Sequence, residues 1–201
     1  PISHVAVRYN EVDGRPGGNV VLRGNQGIGA FSLLESSQVT NLVIFRNFSH
    51  HIGDMAATLA GNQDDSNSFG VLTHTHQVWI LENESTQAAG DSVGMGNNTD
   101  FLGSHVYVGR NHFYNKGENA IDIKEMTDVV ISENIFHSFR LTATSTGEAA
   151  AIHFGPRRIW FINNWIYDSE IALISTGSEE AYFVGNVVFD VEQSSGTFDP
   201  D

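Results

Sequence analysis

The sequence has no cysteine, only 4 prolines in 201 residues, and no apolar run approaching the length of a membrane-spanning helix. Without cysteine, disulfides and thiolate chemistry are excluded, while the redox compartment stays open. Basic side chains are scarce: 10 Lys and Arg stand against 24 Asp and Glu, for a net charge of −14. A nucleic-acid partner is therefore excluded, because a polyphosphate would be repelled and no basic cluster compensates. An acidic polymer would need local help, from a metal ion or a few placed cations. Charged residues are also few at 17%, and no window holds a helical period. What remains, rich in Gly and Asn, points to turn-rich β structure in one domain, 1–201. The first residue is Pro1 rather than Met, so the sequence reads as a processed or partial chain.

A seven-residue phrase recurs along the chain: polar, apolar, any, apolar, any, any, Asn. It runs His4–Asn10, Asn41–Asn47, Gln77–Asn83, His105–Asn111, Asp128–Asn134, Arg158–Asn164 and Glu180–Asn186, at Asn spacings of 37, 36, 28, 23, 30 and 22. Apolar residues at its second and fourth places share one side of a strand. The Asn is expected to take a left-handed turn conformation and to bond its copies in the coils above and below. A shortest repeat of 22 residues matches one coil of a right-handed parallel β-helix with three strands and three turns. The reading is an all-β fold of about seven coils with an asparagine ladder, lacking one or both end caps. Further strands are expected before the phrase, as in Ala30–Leu33, Gly70–Thr73, Ser92–Met95, Ala120–Ile123, Ala151–Phe154 and Ala172–Ser175. Others follow it, as in Phe113–Tyr114, Ile135–His137, Trp165–Tyr167 and Val187–Phe189. Spacings above 22 are assigned to inserted loops at 11–28, 51–69, 84–91, 96–104 and 141–148.

The outward third and fifth places of the phrase hold Val43, Phe45, Trp79, Leu81, Tyr107, Trp160, Ile162, Tyr182 and Val184. Such an apolar outer face calls for cover by loops, by further chain or by a second copy in a homo-oligomer. Alternatively, Trp79, Tyr107 and Trp160 bind substrate by stacking on sugar rings.

The densest charged chemistry lies at Gly117-Glu118-Asn119-Ala120-Ile121-Asp122-Ile123-Lys124-Glu125. With Ile121 and Ile123 inward, Asp122 and Lys124 emerge on the same outer face. One coil on, Ile152 and Phe154 are expected inward, placing His153 outward above Asp122, with Arg157 and Arg158 just after. One coil back, Asp91 enters the strand containing Val93. A solvated ion pair would explain Asp122 and Lys124 equally well one at a time, so their convergence carries the argument. His50-His51 and His74-Thr75-His76 lack the spacing of a metal box and read as strand and turn residues.

These residues resemble right-handed β-helical polysaccharide lyases over about residues 90 to 190. The run Glu118–Lys124, then Asn134, then Ala151–Gly155, is similar to the chondroitinase B and alginate lyase group. That resemblance implies a metal-binding acidic turn, with Lys124 as catalytic base. It also implies a second catalytic group one coil later, where His153 stands in the place of that group's Arg and Arg157 or Arg158 are the alternatives. Glu118, Asn119 and Asp122 are also similar to the calcium-binding cluster of a pectate-lyase group, which has a Lys at the place of His153. The implied activity is β-elimination on a uronate-containing acidic polysaccharide by a secreted or cell-surface protein. A Ca²⁺ ion on Glu118, Asn119, Asp122 and Asp91 would acidify the C5 proton. Two other readings stand beside it. One is a non-catalytic glycan-binding or structural β-helix module; the other is a glycosidase using Asp91 and Asp122 as its carboxylate pair.

Overall fold

The computed structural model describes residues 2–15, 26–30, 38–59, 65–96, 103–142 and 145–193. It is a parallel β-helix in which every named strand pairing is parallel. The phrase strands stack in chain order as a first sheet: Ile2–Arg8, Val39–Phe45, Thr75–Leu81, Ser104–Gly109, Thr127–Ser132, Arg157–Ile162 and Ala181–Val184. Strands just after each phrase form a second side, from Glu11–Asp13 through Phe48–His50, Glu84–Thr86, His112–Tyr114 and Ile135–His137. Strands just before it form a third: Gln26–Ala30, Asn67–Val71, Val93–Met95, Ile121–Lys124 and Glu148–His153. The long strand Trp165–Thr176 turns the corner and belongs to both.

The asparagine column is complete, from Asn10 through Asn47, Asn83, Asn111, Asn134 and Asn164 to Asn186. At each step the backbone and side-chain amides of one Asn donate to the Oδ1 of the next, at 2.8–3.0 Å. The next side chain also donates back to a carbonyl of the coil before, as Asn134 does to Val108. The left-handed conformation belongs elsewhere than expected. It falls on the residue preceding each ladder Asn: Tyr9, Arg46, Glu82, Arg110, Glu133, Asn163 and Gly185, at φ between 51° and 69°. A turn one residue earlier leaves the Asn in ordinary backbone geometry with its amide aligned along the stack, which the bonding pattern requires.

The interior is filled by the apolar places of the three sides. Phe69, Phe113 and Phe136 stack at 6.0 and 5.9 Å between ring centres, and Ile80, Val108, Ile121, Ile123 and Ile131 are fully buried. Each such burial contributes about 1.5–3 kcal/mol. Among the described residues neither end carries a cap: Val5 in the first coil and Phe183 and Val188 in the last are 37–39% exposed.

The loop bounds read from sequence are too wide. Glu11–Asp13, Gln26–Ala30, Asn67–Val71 and Glu84–Thr86 are strands, and Met55–Leu59 is a short helix. Polar strands such as Glu84–Thr86 turn Ser85 inward, so they show no apolar alternation to read. Of the expected Ala30–Leu33 strand, residues 31–33 lie outside the described residues. Along the outer column of the first sheet Trp79 is 37% and Tyr182 46% exposed, with Tyr107, Val130 and Trp160 half-buried between them.

Candidate functional site

Ile121–Lys124 sits between Val93–Met95 and Glu148–His153 on the third side. Alternation holds on it: Ile121 and Ile123 are fully buried, and Asp122 and Lys124 emerge. The register to the next coil differs from expectation. Ile121 faces Ala150 and Ile123 faces Ile152, so His153 stands beside Lys124 and Asp122 stands beside Ala151. Phe154, expected inward, is 58% exposed in a left-handed turn with φ 61°. The run Ala149-Ala150-Ala151 is wholly buried and of one size, so it offers no alternation from which to fix the register.

The three side chains still converge. Lys124 Nζ lies 2.6 Å from Asp122 Oδ2, and His153 Nε2 lies 3.2 Å from Asp122 Oδ1. The second approach is close enough for attraction but off-line, since Oδ1 has no aligned hydrogen-bond donor. His153 Nδ1 reaches Thr176 Oγ1 at 3.4 Å. Asp122 is 7% exposed at its side chain, against 33% for Lys124 and 25% for His153, so the lysine and the histidine form the accessible rim. Burial pulls the Lys124 pKa down, but the contact with Asp122, then Asp91 and Glu118, reverses this and leaves it raised. Lys124 is thus held as an ammonium.

Behind this rim runs a polar column. Asp91 donates its backbone amide to Asn67 Oδ1 at 2.7 Å, and its own Oδ1 accepts the backbone and side-chain amides of Asn119 at 3.0 and 2.9 Å. This repeats the asparagine-ladder motif with a carboxylate in one slot. Burial, then repulsion from Asp122 and Glu118, pushes the Asp91 carboxyl well above its usual range. At 4% exposure Asp91 is out of a substrate's reach, which removes it as the partner of Asp122 in a glycosidase pair. Gly117 and Gly96 permit the tight packing. A Cβ on Gly117 would strike the Ala89 carbonyl, and one on Gly96 (φ 75°) the Lys124 carbonyl.

Asn119 Oδ1 and Asp122 Oδ1 are buried acceptors without a hydrogen-bond donor, the kind of atom a cation satisfies. Asp91, Glu118 and Asp122, however, do not bring their oxygens within 4.8 Å of one another; among the described residues the trio that meets this distance is Asp13, His50 and His51.

The remaining expected residues are placed apart from Asp122. Arg158 makes a two-pronged contact with Asp128 at 2.6 and 2.8 Å, and Arg157 pairs with Glu179 at 2.7 Å. Trp79 and Tyr107 are register partners in adjacent coils, with Trp160 two coils further, all on the first sheet rather than the third. A second aromatic column went unread in the sequence. Tyr114, His137, Tyr167 and Phe189 stack on the second side with centroid steps of 5.1, 4.8 and 4.9 Å. The signal was available for the first three: each stands three residues after a ladder Asn, as Phe189 does too. A pocket of about 290 Å³ lies at the corner between the second and third sides, lined by Arg140, Asp168, Glu170 and Glu192 among others. Its acidic lining does not suit a polyanion.

Fold and site together define a parallel β-helix with an outward lysine and histidine converging on a recessed aspartate. No protein-family model matches the chain, and no curated protein matches it in sequence. Two solved structures share its fold, both A-modules of mannuronan C-5 epimerases from Azotobacter vinelandii. The AlgE4 module superposes with a TM-score of 0.65 at 13% identity, over 98% of this chain and 57% of that one. The AlgE6 module gives 0.67 at 12%, over 99% and 56%. The chain therefore spans little more than half the length of these modules, and at such identity the likeness is one of fold.

Proposed function

We propose that the protein is a secreted or cell-surface enzyme acting on a uronate-containing acidic polysaccharide, by removal of the proton on C5. The observation that carries this reading is the convergence of Lys124 and His153 on Asp122. A proton next to a carboxylate is released only if the charge growing on that carboxylate is neutralised. Lys124, held as an ammonium, suits this task better than that of the base. His153 takes the base role: Asp122 orients its Nε2 side, and Nδ1 receives the C5 proton. Contacts of this kind tighten on substrate binding, so the off-line approach to Asp122 in the free protein is compatible with the role. The electron pair left at C5 then has two outcomes. It expels the O4 substituent, which leaves with the proton that His153 took up, cleaving the chain as a lyase does; or it takes a proton from water on the opposite side, inverting C5, and His153 returns its proton to solvent. The two structural neighbours are named for that inversion, and both outcomes share the first step.

The test is a panel of polyuronates incubated with the protein, with Ca²⁺ and with chelator. Ultraviolet absorbance reads the unsaturated product, and proton exchange at C5 in deuterated water reads abstraction by either route. Activity on one polymer is expected, falling at least about 100-fold in His153→Ala and in Lys124→Ala. Absence of both signals on every polymer refutes the proposal. A second reading, a glycan-binding module without turnover, is favoured by the column Tyr114–His137–Tyr167–Phe189. It predicts saturable binding that Tyr167→Ala weakens, with no C5 exchange.

A further inference from the structure

At the opposite side of the coil and near its N-terminal end, three side chains from adjacent coils meet. Asp13 and His50 are register partners on Glu11–Asp13 and Phe48–His50. His51 follows in a left-handed turn with φ 55°, and its ring Nδ1 comes to 2.5 Å from Nδ1 of His50. Asp13 Oδ1 lies 3.6 Å from each of these nitrogens. Two imidazole lone pairs at such a separation repel unless something positive lies between them, either a shared proton or a metal ion. The surroundings arrange the rings for the second. His50 Nε2 contacts Glu11 Oε1 at 3.0 Å, which places the ring proton on Nε2 and leaves Nδ1 as a free donor pair. The His51 ring has its own hydrogen bond to the Gln87 side chain.

We propose that Asp13, His50 and His51 bind one divalent transition-metal ion of the zinc class, clipping the first coil to the second. Two nitrogens and one carboxylate oxygen select Zn²⁺, Co²⁺, Ni²⁺ or Cu²⁺ over Ca²⁺ and Mg²⁺, which take oxygen sets. Tetrahedral zinc, with bonds near 2.0–2.1 Å, separates its ligands by about 3.3 Å. The two contacts at 3.6 Å are close to that already, and the rings have to open by about 0.8 Å from 2.5 Å. Arg15, now 3.3 Å from Asp13 Oδ1, is the competitor, but that pair is 62% and 39% exposed and is readily displaced. The fourth position goes to water, since Glu11 is engaged at His50 Nε2. Among the described residues the clip joins the first two coils of the stack, tying Glu11–Asp13 to Phe48–His50 beyond their backbone hydrogen bonds.

The site shares no residue with the Asp122 cluster, so either reading can fail alone. The test uses tag-free full chain, stripped with chelator and titrated with Zn²⁺ by calorimetry, and with Co²⁺ by visible absorption. One equivalent is expected to bind in the micromolar range, with a tetrahedral Co²⁺ spectrum. Asp13→Asn and His51→Ala each weaken it at least tenfold, whereas His112→Ala leaves it unchanged. Nitrogen shifts of the His50 and His51 rings on adding Zn²⁺ to the unaltered protein give a readout that needs no variant. No saturable binding at 100 µM Zn²⁺, binding insensitive to Asp13 and His51, or shifts confined to other histidines overturns the proposal.

Discussion

Replacing Asn134 by Ala removes one rung from the middle of the column without touching the apolar filling. Asn134 is fully buried. Its side chain makes four hydrogen bonds: it accepts from the backbone and side-chain amides of Asn111, and donates to Val108 O and Asn164 Oδ1, all at 2.9 Å. Its backbone amide keeps its own bond to Asn164 Oδ1 at 3.0 Å. At a net ~1 kcal/mol per bond the substitution costs about 4 kcal/mol, and more where Val108 O and the Asn111 amides stay dry and unpaired. Asn10, in the first described coil and exposed, makes two side-chain bonds at 3.0 Å, to Arg8 O and Asn47 Oδ1, and no described residue stacks before it. Asn10→Ala should cost about 1 kcal/mol or less, because water replaces what is lost. Urea unfolding followed by circular dichroism and by tryptophan fluorescence reads both. Thermal midpoints should fall by roughly 8–16 °C for Asn134→Ala and by a few degrees for Asn10→Ala. A cost for Asn134→Ala within 1 kcal/mol of that for Asn10→Ala would refute the idea that the ladder holds the coils in register through its buried bonds.

Two further outcomes follow from buried charge and a third from an exposed pair. Asp91→Asn keeps an acceptor for both Asn119 amides, yet removes a carboxyl whose folded-state pKa lies above its unfolded 3.8. Such a group adds stability below pH 3.8 and loses it as pH rises through the folded value, so the variant should be the more stable at neutral pH and its unfolding curve flatter with pH. Lys116 is 2% exposed, bonded only to Ser68 Oγ and Ser85 Oγ at 2.9 and 2.5 Å, and burial holds its pKa well below 10.5. Its contribution is present above pH 10.5 and lost as pH falls through the folded value, so Lys116→Met should gain stability relative to the unaltered protein as pH drops from 11 to 7; an unchanged difference across that range would contradict a neutral buried amine. Arg158→Ala breaks the exposed two-pronged contact with Asp128 and should leave the urea midpoint nearly unchanged, since solvent screens the pair; a large drop would contradict that.

The sequence by itself determined the coil. A polar–apolar–any–apolar phrase closing in Asn fixes a strand side, a turn and a stacking partner locally. Seven copies of it therefore state both the architecture and which asparagines meet. The outward emergence of Asp122 and Lys124 was legible for the same reason, since Ile121 and Ile123 mark the inner places. Only the tertiary structure decided what lies across coils where that marking is absent. The alanine run before Ile152 hides a register that puts His153 beside Lys124. Asp13 and His50 each stand three residues after a ladder Asn, which pairs them across coils, but only the left-handed turn at His51 brings the second ring onto them. The raised pKa of Asp91 and the lowered pKa of Lys116 come first from burial, which depends on everything stacked above and below them. Strand pattern is a property of neighbours in sequence, whereas desolvation and contact between coils belong to neighbours in space, and in a solenoid the turn lengths that connect the two vary from coil to coil.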